Sequence, residues 1–332
     1  MFIKINILNK MFKFIFIFTI ILQLNLISSP NGVNINKYIS EDSSSLNNYK
    51  IKNINQINIL ESRIPLGRIV LFLIVALALF IIYTSIRNTI TLNKFIEEIF
   101  AIVKKKYKLE EIDIGDLKKI RVKNILVFYS KVYYIPGFGY LSIMTVNLGI
   151  MQMITFNVNP FEKDLPQFIN DIIFLFGKRT VLIEFYDSML DKKNNKYINF
   201  LNKIKEIHKK YSDLEFCKTK ENWSDSILSE CIKKTGTVKH WNRMTIMFNE
   251  LLEIYLEYAK EASELNEDEK EKKILIIKGI CDTFIEKGGI AVNTFKSSVG
   301  AEKTAEVLGK IIYSYLLYKD LNIKKDQKVK NE

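Results

Sequence analysis

Three kinds of hydrophobic pattern succeed one another along this chain. From Ile69 to Ile86 the run "IVLFLIVALALFIIYTSI" holds 18 residues without a charge, the length and composition of a helix able to cross a bilayer. In "LNKFIEEIFAIVKKKY" the apolar positions Phe95, Ile99 and Ile102 then recur at helical spacing. Short β-rich runs follow, divided by turns: "NILVFYSKVYYI" (124–135), "PGFG" (136–139), "LSIMTVNL" (141–148), "MQMITFNVN" (151–159), a segment at 168–176, and "TVLIEFYD" (180–187). Connections this short predict antiparallel neighbours in a meander, because a parallel crossover needs a dozen residues or more. Strands apolar on both faces require cover on both sides.

Amphipathic helices supply that cover. "KYINFLNKIKEIHKKY" aligns Tyr197, Phe200, Leu201, Ile204 and Tyr211 along one stripe, and "WNRMTIMFNELLEIYLEYAKEA" aligns Met247, Leu251, Ile254 and Tyr258. "SELNEDEKEKK" is a charged helix start, and Lys287-Gly288-Gly289 ends that helix in the manner of a glycine cap. A last helix over 301–318 buries Leu308, Ile312 and Leu316. The predicted fold class is α+β, an α/β/α sandwich with a central antiparallel sheet over residues 92–320, preceded by a transmembrane helix over 65–87.

The remaining segments carry no core pattern. In residues 1–29, Lys4, Lys10 and Lys13 precede the apolar stretch Phe14 to Ile27 and then "SSP", the order of a signal peptide. Residues 30–64 are polar and Asn-rich and read as a disordered leader, and 321–332 as a disordered tail. Arg87, Lys94 and Lys104 to Lys106 follow the apolar run, against Arg63 and Arg68 before it. That bias puts the soluble domain of a single-pass membrane protein on the cytoplasmic side. Alternatively, the signal-like segment and the leader form a two-part plastid address.

Charge narrows the partners. The chain of 332 residues carries a net charge of +12, and part of that surplus sits in the leader. A modest basic excess suits an acidic protein partner or an anionic ligand. No stripe of Arg interleaved with aromatics supports nucleic-acid binding. Cys217, Cys231 and Cys281 lack ligand spacing and are odd in number, which points to a reducing compartment. His208 and His240 lie amid basic residues, so no metal site is expected. Ser142 and Ser188 belong to no nucleophile motif. Glu184 and Asp187 read as a strand end paired with the Lys178-Arg179 turn.

Asp171 stands apart. In "FEKDLPQFINDIIFLFG" (161–177) it enters an apolar run, and a buried carboxylate costs several kcal/mol unless paired, hydrogen-bonded or protonated. The residues leave two readings open: a strand-end Asp satisfied by backbone N–H groups, or a proton donor of raised pKa beside a ligand pocket.

The stretch "MQMITFNVNPFEKDLPQFINDIIFLFG" (151–177) resembles the ferredoxin-dependent bilin reductases and their red chlorophyll catabolite reductase relatives. There a strand ends in Phe-Pro and a polar turn leads to Leu-Pro-x-Phe-Gly-x-Asp. Leu165, Pro166, Phe168 and Asp171 keep those positions, and Ile169 replaces the glycine. "ENWSDSILSEC" is similar to the family's Trp-Gly-x-x-Phe-Ser stretch, with Trp223 retained, and "NTFKSSVGAEKTAEVLGKIIY" to its last helices. The resemblance covers about 124–318. It implies an open bilin pocket between the sheet and the C-terminal helices, with no bound cofactor and single electrons from ferredoxin. Asp171 is then the proton donor, in the apolar surroundings a protonated acid needs. Asn157, Phe168, Asn170 and Trp223 are the accompanying ligand-binding candidates. Where many members carry His on the preceding strand, counting back reaches Ile154. The polar residue before the final helices falls at Gly288 or Gly289. The expectation is a divergent, membrane-anchored protein that binds a tetrapyrrole or similar ligand and reduces it, or a non-catalytic relative that binds a ligand or a protein at the membrane.

Overall fold

The computed structural model describes residues 66–320 except 123–125, 150, 218–222 and 289. The signal-like segment, the leader and the tail lie outside the described residues.

The apolar run and the amphipathic stretch after it, read as two elements in the sequence, are one helix, α1 (Leu66–Lys106). Among the described residues it is the helix long and apolar enough to cross a membrane. Contacts divide the chain inside it, after Tyr83. In the first part Phe72, Leu73, Leu79 and Tyr83 point outward, as expected of a helix apolar on all sides. In the second part Leu92, Phe95, Ile99 and Val103 are buried against the sheet.

That sheet has nine strands among the described residues: β1 (Glu110–Ile112), β2 (Lys119–Val122), β3 (Leu126–Ile135), β4 (Gly139–Asn147), β5 (Met151–Pro160), β6 (Gln167–Leu175), β7 (Lys178–Tyr186), β8 (Glu215–Phe216) and β9 (Leu228–Thr237). Every pairing is antiparallel, in the order β1-β3-β4-β5-β6-β7-β9-β8, with β2 also on β3. The predicted meander is the β3–β7 part. At its first turn Gly139 has φ +144°, and a Cβ there would lie 2.1 Å from the Asn159 carbonyl oxygen, so only glycine lets β5 come this close.

Helices α2 (Asn195–Lys210) and α3 (Trp241–Glu261) join α1 on one face of the sheet. Phe156, Phe168 and Phe185 meet Phe248 and Tyr255 there, with ring centroids 5.2–6.2 Å apart. The opposite face is covered by α4 (Glu267–Lys287), α5 (Ile290–Val299) and α6 (Ala301–Val307). A capping box starts α4: Asn266 Oδ1 accepts from the Glu269 N–H at 3.0 Å, and Glu269 Oε2 from the Asn266 N–H at 2.9 Å. Gly288 ends it at φ +72°, its N–H bonded to the Phe284 carbonyl at 3.0 Å. The layers are α/β/α, as the amphipathic patterns require.

The chain departs from the expected continuous last helix. After α6 comes a π turn, Leu308–Ile312, and Ser314 then takes φ +54° before helical structure resumes. The cause lies in the sheet: Asn159 Nδ2 donates to the Ile312 carbonyl at 2.9 Å and to Ser314 Oγ at 3.2 Å. A buried amide is satisfied by opening the helix.

Candidate functional site

Short hairpin turns fix the register of β5, β6 and β7, and the period of two in a strand then decides which side chains share a face. Three cross-strand rows face α4, α5 and α6. The first runs Ser130, Met144, Thr155, Asp171, Leu182, Lys233, and the second Val132, Ser142, Asn157, Ile169, Glu184, Cys231. The third carries Tyr134, Tyr140 and Asn159, and Gln167 paired with Tyr186. Val132, Met144, Ile169 and Tyr186 place these rows in the core shared with α4.

Asp171 sits at the middle of the first row, half-buried, its Oδ1 accepting from Thr155 Oγ1 at 2.6 Å. Burial pushes its pKa up to about 6, the Thr155 hydroxyl works against that rise, and the negative charge of Glu184 adds to it. Glu184 lies diagonally across the strand pair. It accepts the Tyr186 hydroxyl at 2.8 Å and stands 3.7 Å from Lys233 Nζ, which also meets Asp225 at 3.2 Å. Burial opposes the Lys233 ammonium, yet its bond to Asp225 and the charge of Glu184 leave its pKa raised. The cluster is therefore a carboxyl that keeps its proton toward neutral pH beside a carboxylate held by a cation, an arrangement able to donate a proton. The expected pairing of Glu184 and Asp187 with the Lys178-Arg179 turn is not what forms. Glu184 instead faces Lys233, and Asp187 pairs with Lys192 at 2.6 Å.

The other candidates divide between the two faces. Asn157 shares the face of Asp171, donating from Nδ2 to Ser142 Oγ at 3.1 Å. Its Oδ1, like Ser130 Oγ on the same face, is buried without a hydrogen-bond partner. Trp223 packs edge-on against Phe284, centroids 4.7 Å apart, and donates from Nε1 to the Gly288 carbonyl at 3.3 Å. Phe284 in turn meets Tyr186. Phe168 and Asn170 are not brought to this cluster. They alternate with Asp171 along β6 and point into the core under α3, where Phe168 is stacked on Tyr255 and Asn170 Nδ2 donates to the Leu182 carbonyl at 2.9 Å. Ile154 lies in the same core, and Thr155, one residue on, is the β5 residue that faces Asp171. Thr155 and Glu184 were missed as site residues. Counting β5 and β7 outward from Asp171 in steps of two would have found both.

All three cysteines are free, and among the described residues no group of three or more His, Cys, Asp or Glu is placed to hold a metal ion.

No protein-family model and no curated protein matches the chain. Among solved structures it is similar to phytochromobilin synthase from tomato in complex with biliverdin, with a TM-score of 0.56 at 12% identity, over 67% of this chain and 83% of that one. At that identity the likeness shows the fold alone. The chain shares the fold of that structure, a layered antiparallel sheet between helices, in keeping with the α/β/α arrangement the hydrophobic pattern predicts.

Proposed function

We propose that this protein binds a tetrapyrrole against the sheet face of Asp171 and reduces it, with Asp171 as proton donor and ferredoxin as the source of single electrons. The observation that carries this reading is the half-buried carboxyl, raised to about 6 beside Glu184, on the sheet face covered by the C-terminal helices. Each pair of electrons delivered to the ligand takes up two protons. Asp171 gives one to the ligand and is reprotonated from solvent, and the second proton reaches the ligand from solvent water. The unpartnered Asn157 Oδ1 and Ser130 Oγ are acceptors fit for the N–H groups of pyrrole rings. The basic surplus complements an acidic electron carrier. Ile69 to Ile86 anchors the domain as a single span, with the residues after Arg87 on the cytoplasmic side. A plastid membrane reached through the leader is the alternative.

One observation favours a second reading, a non-catalytic relative that binds a ligand or a protein. Aromatic side chains of the chain itself cover the same face, with Phe284 against Tyr186 at 5.6 Å and Phe295 against Phe128 at 4.6 Å.

The test is titration of the full chain with biliverdin, with haem for comparison, followed by absorbance, and then addition of reduced ferredoxin. A saturable red-shifted biliverdin complex that is bleached by reduced ferredoxin is expected. Asp171→Asn should bind comparably and bleach at least about 100-fold more slowly, the usual scale of a lost general acid. Binding without bleaching would assign the protein to the second reading. Absence of saturable binding would overturn the tetrapyrrole.

A further inference from the structure

Two hairpin tips of the sheet are built unlike the surface around them. The β4–β5 turn exposes Leu148 (38%), and the β6–β7 turn exposes Leu175 (41%) and Phe176 (45%). Phe176 takes φ +51°, a conformation that bulky residues rarely adopt, with Gly177 beside it in the same two-residue turn. An aromatic ring is thus held outward at a place that glycine or asparagine would fill more easily.

Both tips are tied to the start of the domain part of α1. Asn147 Nδ2 donates to Thr89 Oγ1 at 3.1 Å, and Gln152 Nε2 to the Ser85 carbonyl at 2.9 Å. Arg179, buried and stacked over Phe174 with its guanidinium 3.8 Å from the ring centroid, donates to Asn88 Oδ1 at 2.6 Å and to the Phe176 carbonyl at 3.0 Å. The polar side of α1 at residues 85–89 is therefore spent on the tips, while Ile86 and Ile90 face outward. The charge-free run ends in this same helical turn, at Ile86. Arg87 and Lys178 supply positive charge here. Asp213 and Glu215 share a depression with Lys178, and Asp213 is engaged by Arg243 at 3.2 Å.

We infer that these tips seat on the bilayer: Leu148, Leu175 and Phe176 enter the headgroup boundary, and Arg87 and Lys178 meet anionic headgroups. The inference rests on the reading of Ile69 to Ile86 as a membrane span. Apolar side chains flanked by basic ones are the composition of an interfacial contact. A basic residue close to an anionic surface strengthens binding roughly fivefold. The buried polar clamp between residues 85–89 and the tips keeps the two tips together at the start of the domain.

The full chain reconstituted into phosphatidylcholine vesicles, with and without phosphatidylserine, tests this. Phe176→Trp and Leu77→Trp are compared with the unaltered chain, whose Trp223 and Trp241 set the background. Lipids brominated near the headgroup should quench Trp emission of Phe176→Trp above that background, more strongly with phosphatidylserine, and Lys178→Glu should remove the increment. Lipids brominated deep in the acyl chain should quench Leu77→Trp. An unquenched Phe176→Trp beside a quenched Leu77→Trp overturns the inference and leaves the span intact. Both unquenched removes the span and the inference with it. Quenching that gives way to a shift dependent on the protein-to-lipid ratio assigns the tips to a second copy of the chain and also overturns it.

Discussion

Asp171 binds its proton more tightly in the folded chain than in the unfolded one, and that has a signed consequence for stability. With the folded pKa at about 6 against 3.8, the native state holds more protons between those values, so stability falls as pH rises through that window. Above about pH 6 the folded protein carries a charged carboxylate in a partly dry site. The lost stability is on the order of 2–3 kcal/mol at most, and the partial exposure of the side chain makes that an upper bound. Asp171→Asn keeps the contact with Thr155 and has no charge to bury. It should therefore melt higher than the unaltered chain at pH 7.5, with the difference gone by pH 4, as thermal unfolding by circular dichroism at both pH values would report. Equal melting temperatures at pH 7.5 would mean that water screens the carboxylate, and the case for a raised proton donor would fail. A residue that lowers stability and is nevertheless placed at the centre of a row of polar groups fits a functional role.

At the scale of elements, the pieces that the sequence made legible are those whose patterning is uninterrupted. The alternating runs from 124 to 187 gave β3 to β7 within a residue or two, and the stripes on α2 and α3 named their buried faces. The strand β9 was not legible, because "LSECIKKTGT" puts Lys233, Lys234 and Thr235 where apolar residues would mark a strand. All three are buried and are satisfied by partners distant in sequence, Lys234 Nζ by the Leu214 carbonyl at 3.2 Å and Thr235 Oγ1 by the Arg179 carbonyl at 3.2 Å. The break after α6 was hidden for the same reason, since Asn159 creates it from across the fold. Asp171 stood out as a candidate because its neighbours in the sequence are apolar. Thr155 and Glu184 became part of it only through register.

The tie between α4 and the connections that flank β6 and β7 is of that hidden kind and makes a prediction. Lys273, buried on α4, donates to the Leu165 and Ser188 carbonyls and stands 3.5 Å from Asp164, which also accepts the N–H groups of Leu190 and Asp191. Lys273→Met takes the charged donor from the buried Ser188 carbonyl and the cation from Asp164, so it should cost at least about 2 kcal/mol. Burial lowers the Lys273 pKa to about 8. The unfolded chain then binds more protons above that value, and stability contributed by this group rises as pH increases from about 8 toward 10. Denaturant titrations at pH 7 and pH 9.5 should show the rise in the unaltered chain and none in Lys273→Met. A rise that persists in the variant would assign it to other groups.

The described part of the domain is one sheet between two cores, and of its two faces the one under α4, α5 and α6 carries the polar rows. Residues adjacent in β5 and β6 therefore report on different things. Phe168 is fully enclosed by Phe156, Phe185, Phe248 and Tyr255, and truncation to Ala leaves a cavity that should cost about 3–5 kcal/mol. Asn157 is equally buried, but on the face of Asp171, and it already has one unpartnered acceptor. Asn157→Leu deletes that acceptor and the donor to Ser142 at little change in volume, so its structural cost should be smaller, on the order of 1 kcal/mol. If a tetrapyrrole docks on the polar face, the order reverses for binding. Phe168→Ala, measured below its lowered melting temperature, should hold biliverdin with the affinity of the unaltered chain. Asn157→Leu should weaken it by about tenfold, the loss of one hydrogen bond to a ring N–H. Paired melting curves and absorbance titrations on the two variants separate stability from binding. Affinity lost in Phe168→Ala and kept in Asn157→Leu would move the ligand to the α3 side of the sheet, and the role of Asp171 would fall with it.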